Sequence, residues 1–117
     1  MMDFYPTFAR LAGAEPPADR VIDGKDIGPL LAEPGKAKSP HDAFFYHGSL
    51  GELSAVRSGK WKLFLTPQQA LYDLGADIGE QHDVLRGNAA IAAKLRDKAI
   101  AFQDDMRRNT RPAGAVQ

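Results

Sequence analysis

Three histidines, three spaced carboxylates and a cationic strand are the residues of this chain whose types can do chemistry. His41 precedes an apolar run in a loop, His47 ends that run beside Gly48, and His82 lies in the loop before the last helical stretch. Imidazole titrates near neutral pH and ligates metals, yet no two of these share a metal-ligand spacing on one element. His47 is the candidate for function, because a strand end and the Gly48 to Glu52 loop can reach the rim of a substrate pocket. A hydrogen-bonded strand-end side chain is the plainer alternative. His41 and His82 read as surface residues. Asp77, Glu80 and Asp83 invite a calcium-loop reading, but their spacing lacks the alternating Asp-x-Asp-x-Asp-Gly pattern and the distal Glu, so capping of backbone groups is expected. Arg57, Lys60 and Lys62 offer a cationic rim for an anionic substrate, with a solvated strand face as the alternative. The substrate-binding candidates are therefore His47, Arg57, Lys60 and Lys62, and neither a catalytic residue nor a metal ligand is assigned.

The elements that position these residues follow from pattern. Ser58-Gly59 separates Leu53-Ser-Ala-Val-Arg57 from Lys60-Trp-Lys-Leu-Phe-Leu65, and a Gly between two apolar runs marks a tight hairpin turn. The period of two puts Trp61, Leu63 and Leu65 on one face and Lys60, Lys62 and Phe64 on the other, so one face is core. Ala43-Phe-Phe-Tyr-His47 is apolar at consecutive positions, which predicts a strand that seeks burial on both faces. Leu71-Tyr-Asp-Leu74 reads as a further short strand. A helix from about Ala89 to Asn109 carries Ile91, Leu95, Ala99, Phe102 and Met106 as one apolar stripe. Upstream, Asp3 is placed to cap a short helix from about Phe4 to Ala12, with Phe4, Phe8, Leu11 and Ala12 at helical spacing and Gly13 as its stop. Ala14 to Ala18 is an extended connector, Val21 to Leu31 a turn entering a short helix, and Glu33 to Asp42 a surface loop. The fold class is α+β: a small antiparallel sheet of three to four strands against a long C-terminal helix. One helix covers one sheet face, so the other must be met by the N-terminal segments, a second copy or a larger domain.

Composition narrows the function classes. With 117 residues, 44% of them apolar, the length suits one domain. Fifteen basic and fifteen acidic residues cancel, and no Lys/Arg stripe with interleaved aromatics is present, which gives nucleic-acid binding no support. No apolar run approaches the roughly twenty residues of a membrane span, and the N-terminus lacks the regions of a signal peptide. The absence of cysteine removes disulfides and thiolate metal sites.

The stretch from Ala55 to Val84 resembles the closing region of the type I sulfatases, arylsulfatase-like sulfuric ester hydrolases of the alkaline phosphatase superfamily. Their pattern is a hairpin with Arg-x-Gly-Lys-Trp-Lys followed by Leu-Tyr-Asp-Leu-x-x-Asp-Pro-x-Glu-x-x-Asn-Leu. Here Ile78 stands where Pro is usual and Asp83 where Asn is usual. The N-terminal part is similar as well: the family's Asp-x-x-Pro-Thr-x-x-x-x-Ala-Gly and Asp-Gly-x-x-Leu-x-Pro-Leu-Leu segments are met by Asp3, Pro6, Thr7, Ala12, Gly13, Asp23, Gly24, Ile27, Pro29, Leu30 and Leu31. The resemblance spans about Asp3 to Phe102, with its motifs in order.

That resemblance implies residues 1–32 as the tail of a sulfatase catalytic domain and residues 33–117 as the C-terminal subdomain. It also implies, for full-length members, a formylglycine made within Cys/Ser-x-Pro-x-Arg and a calcium ion that together act on the sulfate group. No serine here sits in that context, so the chain alone is expected to be non-catalytic, structural and rim-forming, without a cofactor of its own. The expected partner is the missing catalytic domain, or a second copy if the chain is a free-standing assembly module derived from a sulfatase tail. A sulfated substrate is expected only in the full-length context, and neither nucleic acid nor membrane is expected as partner. Related members hydrolyse phosphonate or phosphate esters, and the family is often periplasmic, secreted or lysosomal.

Overall fold

The computed structural model describes residues 2–110, which form two compact units that divide between Asp42 and Ala43. In the first unit, helix α1 spans Phe4–Leu11 and helix α2 spans Gly28–Ala32. Helix α1 stops as its glycine requires. Gly13 takes φ +74°, its N–H reaches Arg10 O, and the Ala14 N–H reaches Ala9 O at 2.9 Å, a pair of bonds that satisfies the last carbonyls. The apolar residues that give the helical spacing face outward: Phe4, Phe8 and Leu11 are exposed, while Pro6 and Thr7 are the buried residues of the helix.

Asp3 does not cap α1 with its side chain, contrary to expectation. Its φ of −74° and ψ of −18° are already helical, an arrangement that turns the carboxylate away from the first-turn N–H groups. Oδ1 of Asp3 instead accepts the Lys25 N–H at 2.8 Å and lies 2.7 Å from His41 Nε2. His41 is therefore no surface residue, since its side chain is 8% exposed. Thr7 completes the tie between segments. Its hydroxyl donates to Asp3 O at 2.6 Å and accepts the Ile27 N–H at 3.0 Å.

The second unit is an antiparallel sheet of order β1-β2-β3-β4, formed by β1 at Phe44–His47, β2 at Leu53–Ser58, β3 at Trp61–Phe64 and β4 at Leu71–Asp73. The β2–β3 turn places Gly59 at φ +57°, and Ser58 faces Trp61 across it, which fits the glycine-first two-residue turn of a hairpin. After β4, a 3₁₀ turn at Leu85–Gly87 leads into helix α3, Ala89–Asn109. The helix boundaries match the sequence pattern.

Cross-strand partners share a face, so the register fixes the layers. Phe45, Val56, Leu63 and Leu71 align on the face toward α3. Val56, Leu63 and Leu71 are fully buried there with Ala92, Leu95 and Ala99, and Trp61, Leu65, Val84 and Ile91 pack around them. Phe45 stacks on Phe102 with ring centroids 3.8 Å apart. The expected helix stripe faces the sheet: Leu95 and Ala99 are buried, Ile91 packs against them and Phe102 stacks on Phe45, with Ala92 joining the core and Met106 alone of the stripe exposed.

Candidate functional site

The register also aligns Phe44, Arg57, Lys62 and Tyr72 across the four strands, and beside them Tyr46, Ala55 and Phe64. This is the sheet face away from α3. The apolar strand β1 is thus covered on one face, whereas Phe44 and Tyr46 are 46% and 39% exposed. Phe64 meets Tyr72 edge-on at 5.9 Å, a favourable aromatic geometry. Lys62 lies at the centre of these rings. Its Nζ is 5.0 Å from the Tyr46 ring centroid and 4.6 Å from that of Phe64, and it donates to Glu80 Oε1 at 2.7 Å.

The four residues proposed from sequence do not converge. Arg57 and Lys62 face each other across β2 and β3, while His47 follows the parity of Phe45 and its ring lies 6.0 Å from Phe102 on the helix side. Lys60 sits in the turn. Its ammonium is 2.5 Å from Asp73 Oδ2, and it lies 4.7 Å over the Trp61 ring. Arg57 directs Nε back to Gly59 O at 3.1 Å. Both lysine ammonium groups are thus already matched by carboxylates.

The loop after β4 is held by its acidic residues. The Lys60 ammonium, bonded to Asp73, draws that carboxyl below its ordinary value against the opposing effect of burial, and the Gly75 and Ala76 N–H groups add to the effect. Asp77 is lowered first by the His82 N–H, against burial, with the Gln81 N–H and the His82 side chain assisting. Asp83 is lowered by the Leu71 and Leu85 N–H groups, which it accepts at 3.0 and 2.9 Å. Burial works to raise Asp3 in the first unit, but the Lys25 N–H and His41 outweigh it and leave the carboxyl lowered.

The calcium that the family resemblance implies does not fit this donor set. Asp77 and Asp83 direct their carboxylates at backbone N–H groups, Glu80 is taken by Lys62, and among the described residues no group of three His, Cys, Asp or Glu side chains is placed to hold a metal. His82 is exposed, as its loop position suggests. Pattern reading missed Tyr46, Phe64 and Tyr72 as one surface, because only the strand register joins them. It also missed Glu80 as the partner of Lys62, a pairing across 18 positions that no local periodicity encodes.

No protein-family model matches the chain. Steryl-sulfatase of Mus musculus is 49% identical over 75 residues, covering 60% of this chain and 12% of that protein. Human arylsulfatase A is 34% identical over 122 aligned positions, covering 80% of the chain and 24% of that protein. The crystal structure of Ps i-CgsB in complex with k-i-k-neocarrahexaose superposes with a TM-score of 0.70 at 28% identity, over 95% of this chain and 25% of that one. The chain therefore spans a quarter or less of the length of these relatives. Ordered motifs, the sheet-and-helix unit and these likenesses agree, and the chain belongs to the sulfatase family as a C-terminal region.

Proposed function

We propose that this chain completes the scaffold of a sulfatase whose activity is hydrolysis of sulfate esters, and that it has no turnover by itself. The observation that carries the reading is the likeness over 95% of this chain to only 25% of Ps i-CgsB, in a sequence with no cysteine and no Ser-x-Pro-x-Arg. In the full-length family, formylglycine supplies the nucleophilic oxygen and calcium stabilises charge on the sulfate oxygens. This chain supplies shape instead. Helix α3 fixes one sheet face, the Lys60 and Lys62 ion pairs fasten the turn and the following loop, and Arg57 closes the hairpin turn. A rim role is assigned to His47 and the adjoining loop. There Gly48 N–H bonds Glu52 O at 2.8 Å and Leu50 projects with 93% exposure.

The purified chain, assayed with p-nitrophenyl sulfate in the presence of calcium, is expected to release no nitrophenol above the uncatalysed rate. Turnover that scales with chain concentration and survives further purification would overturn the non-catalytic reading.

A further inference from the structure

Asp3 and His41 make a contact within the first unit that the scaffold role does not use. Their side chains are 18% and 8% exposed, so solvent reaches neither freely. Oδ1 of Asp3 accepts the Lys25 N–H at 2.8 Å and lies 2.7 Å from His41 Nε2, while the Lys25 ammonium donates to Pro40 O at 2.9 Å. The start of α1, the stretch before α2 and the end of the 33–42 segment are thereby knotted together around one carboxylate. Burial opposes ionisation of Asp3, but the Lys25 N–H and His41 hold its carboxyl below the ordinary 3.8, with the amino terminus assisting. It therefore stays charged across the range in which imidazole titrates. An ionised carboxylate only accepts hydrogen bonds, so Nε2 carries a proton in this contact. The other charged groups of the knotted segments point elsewhere or lie open. Lys38, Asp42 and Asp23 are exposed, and Asp26 is engaged by the Gly28 N–H at 2.7 Å and by Arg10 of α1 at 3.8 Å. A neutral imidazole gives Asp3 an ordinary hydrogen bond, whereas imidazolium gives a charge-assisted one of about twice the strength. A partner that imidazolium gains on closing adds hold that is complete at lower pH, while Asp3 is ionised, and is lost as pH rises through the imidazole titration. We propose that Asp3 and His41 form a proton-operated latch that closes the 33–42 segment on the start of α1 and loosens as the imidazole loses its charge.

The test follows amide exchange and NMR titration of the full chain. With rates corrected for intrinsic exchange, the Lys25 N–H is expected to lose protection by about threefold or more between about pH 5 and pH 8, and its resonance to inflect at the same pH as the His41 ring. His41→Gln keeps an N–H donor but does not titrate, so its Lys25 profile should be flat, as should that of Asp3→Asn. The Val84 N–H, bonded to Leu71 O in the second unit, is expected to keep its protection throughout. A flat Lys25 profile in the parent chain overturns the latch without recourse to any variant. Loss of protection at Val84 in parallel with Lys25 overturns it by assigning the effect to global unfolding, and pH dependence that persists in His41→Gln overturns it by assigning the effect to another group.

Discussion

Glu80 holds the ammonium of Lys62 at 2.7 Å while its own backbone sits at φ +55°, the single positive φ outside glycine among the described residues. A left-handed backbone at a residue with a Cβ costs on the order of 1 kcal/mol and persists where surrounding contacts over-determine it. The ion pair is such a contact. It fastens the loop after β4 to the strand face, and the side chains are 16% and 28% exposed, so solvent screens it only in part.

Glu80→Gln is expected to destabilise the chain by about 1 to 2 kcal/mol, between the values of surface and buried pairs. Glu80→Gly removes the backbone strain as well as the charge, and should therefore cost less than Glu80→Gln. A urea-unfolding cycle with Lys62→Met measures the pair. Strict additivity of Glu80→Gln and Lys62→Met would show that the two side chains stabilise the fold independently.

Asp73, Asp77 and Asp83 lie below the ordinary carboxyl value of 3.8 for the reasons given by their partners, and this fixes the sign of acid sensitivity. A carboxyl depressed in the folded state contributes stability that is complete above its unfolded value and is lost as pH falls through the folded one. The melting temperature is therefore expected to be flat with respect to these groups near neutrality and to drop below about pH 4. Asp83→Asn is informative here. An amide oxygen can still accept the Leu71 and Leu85 N–H groups but does not titrate, so this variant should keep neutral-pH structure and show a shallower acid slope. An unchanged slope would remove Asp83 from the account.

In the first unit, Thr7 is fully buried, with its hydroxyl bonded to both Asp3 O and the Ile27 N–H. Thr7→Val keeps the shape and removes the acceptor, leaving a polar group unsatisfied at a cost of about 1 to 3 kcal/mol. Amide exchange of Ile27 should accelerate accordingly, with Lys25 following if Asp3 shifts. Protection of Ile27 equal to that in the parent chain would mean the hydroxyl is dispensable.

Elements with strong periodicity or a backbone-demanding residue were legible before any coordinates. Helix α3, the hairpin turn at Gly59 and the stop at Gly13 follow from side-chain spacing and from glycine conformations that other residues avoid. Burial of individual side chains was less legible, since Phe44 and Phe45 are neighbours of one type and only cross-strand register decides which meets α3. The same limit explains the site. The charge of Arg57 and Lys62 is visible in the sequence, whereas the pairing of Lys62 with Glu80 arises only through the folded loop. Asp3 was read as a cap for a similar reason: its local position allows that bond, and the distant Lys25 and His41 take the carboxylate instead.

Leu63 and Leu50 separate packing from exposure within the same unit. Leu63 is wholly buried between Val56, Leu71 and the helix residues, whereas Leu50 stands 93% exposed in the loop between β1 and β2. Removing three side-chain carbons at Leu63 loses their transfer free energy and leaves a cavity that the sheet and α3 cannot fully close. Leu63→Ala is thus expected to cost about 2 to 5 kcal/mol, while Leu50→Ser stays within about 0.5 kcal/mol of the parent. Denaturant midpoints at constant m-value read both effects.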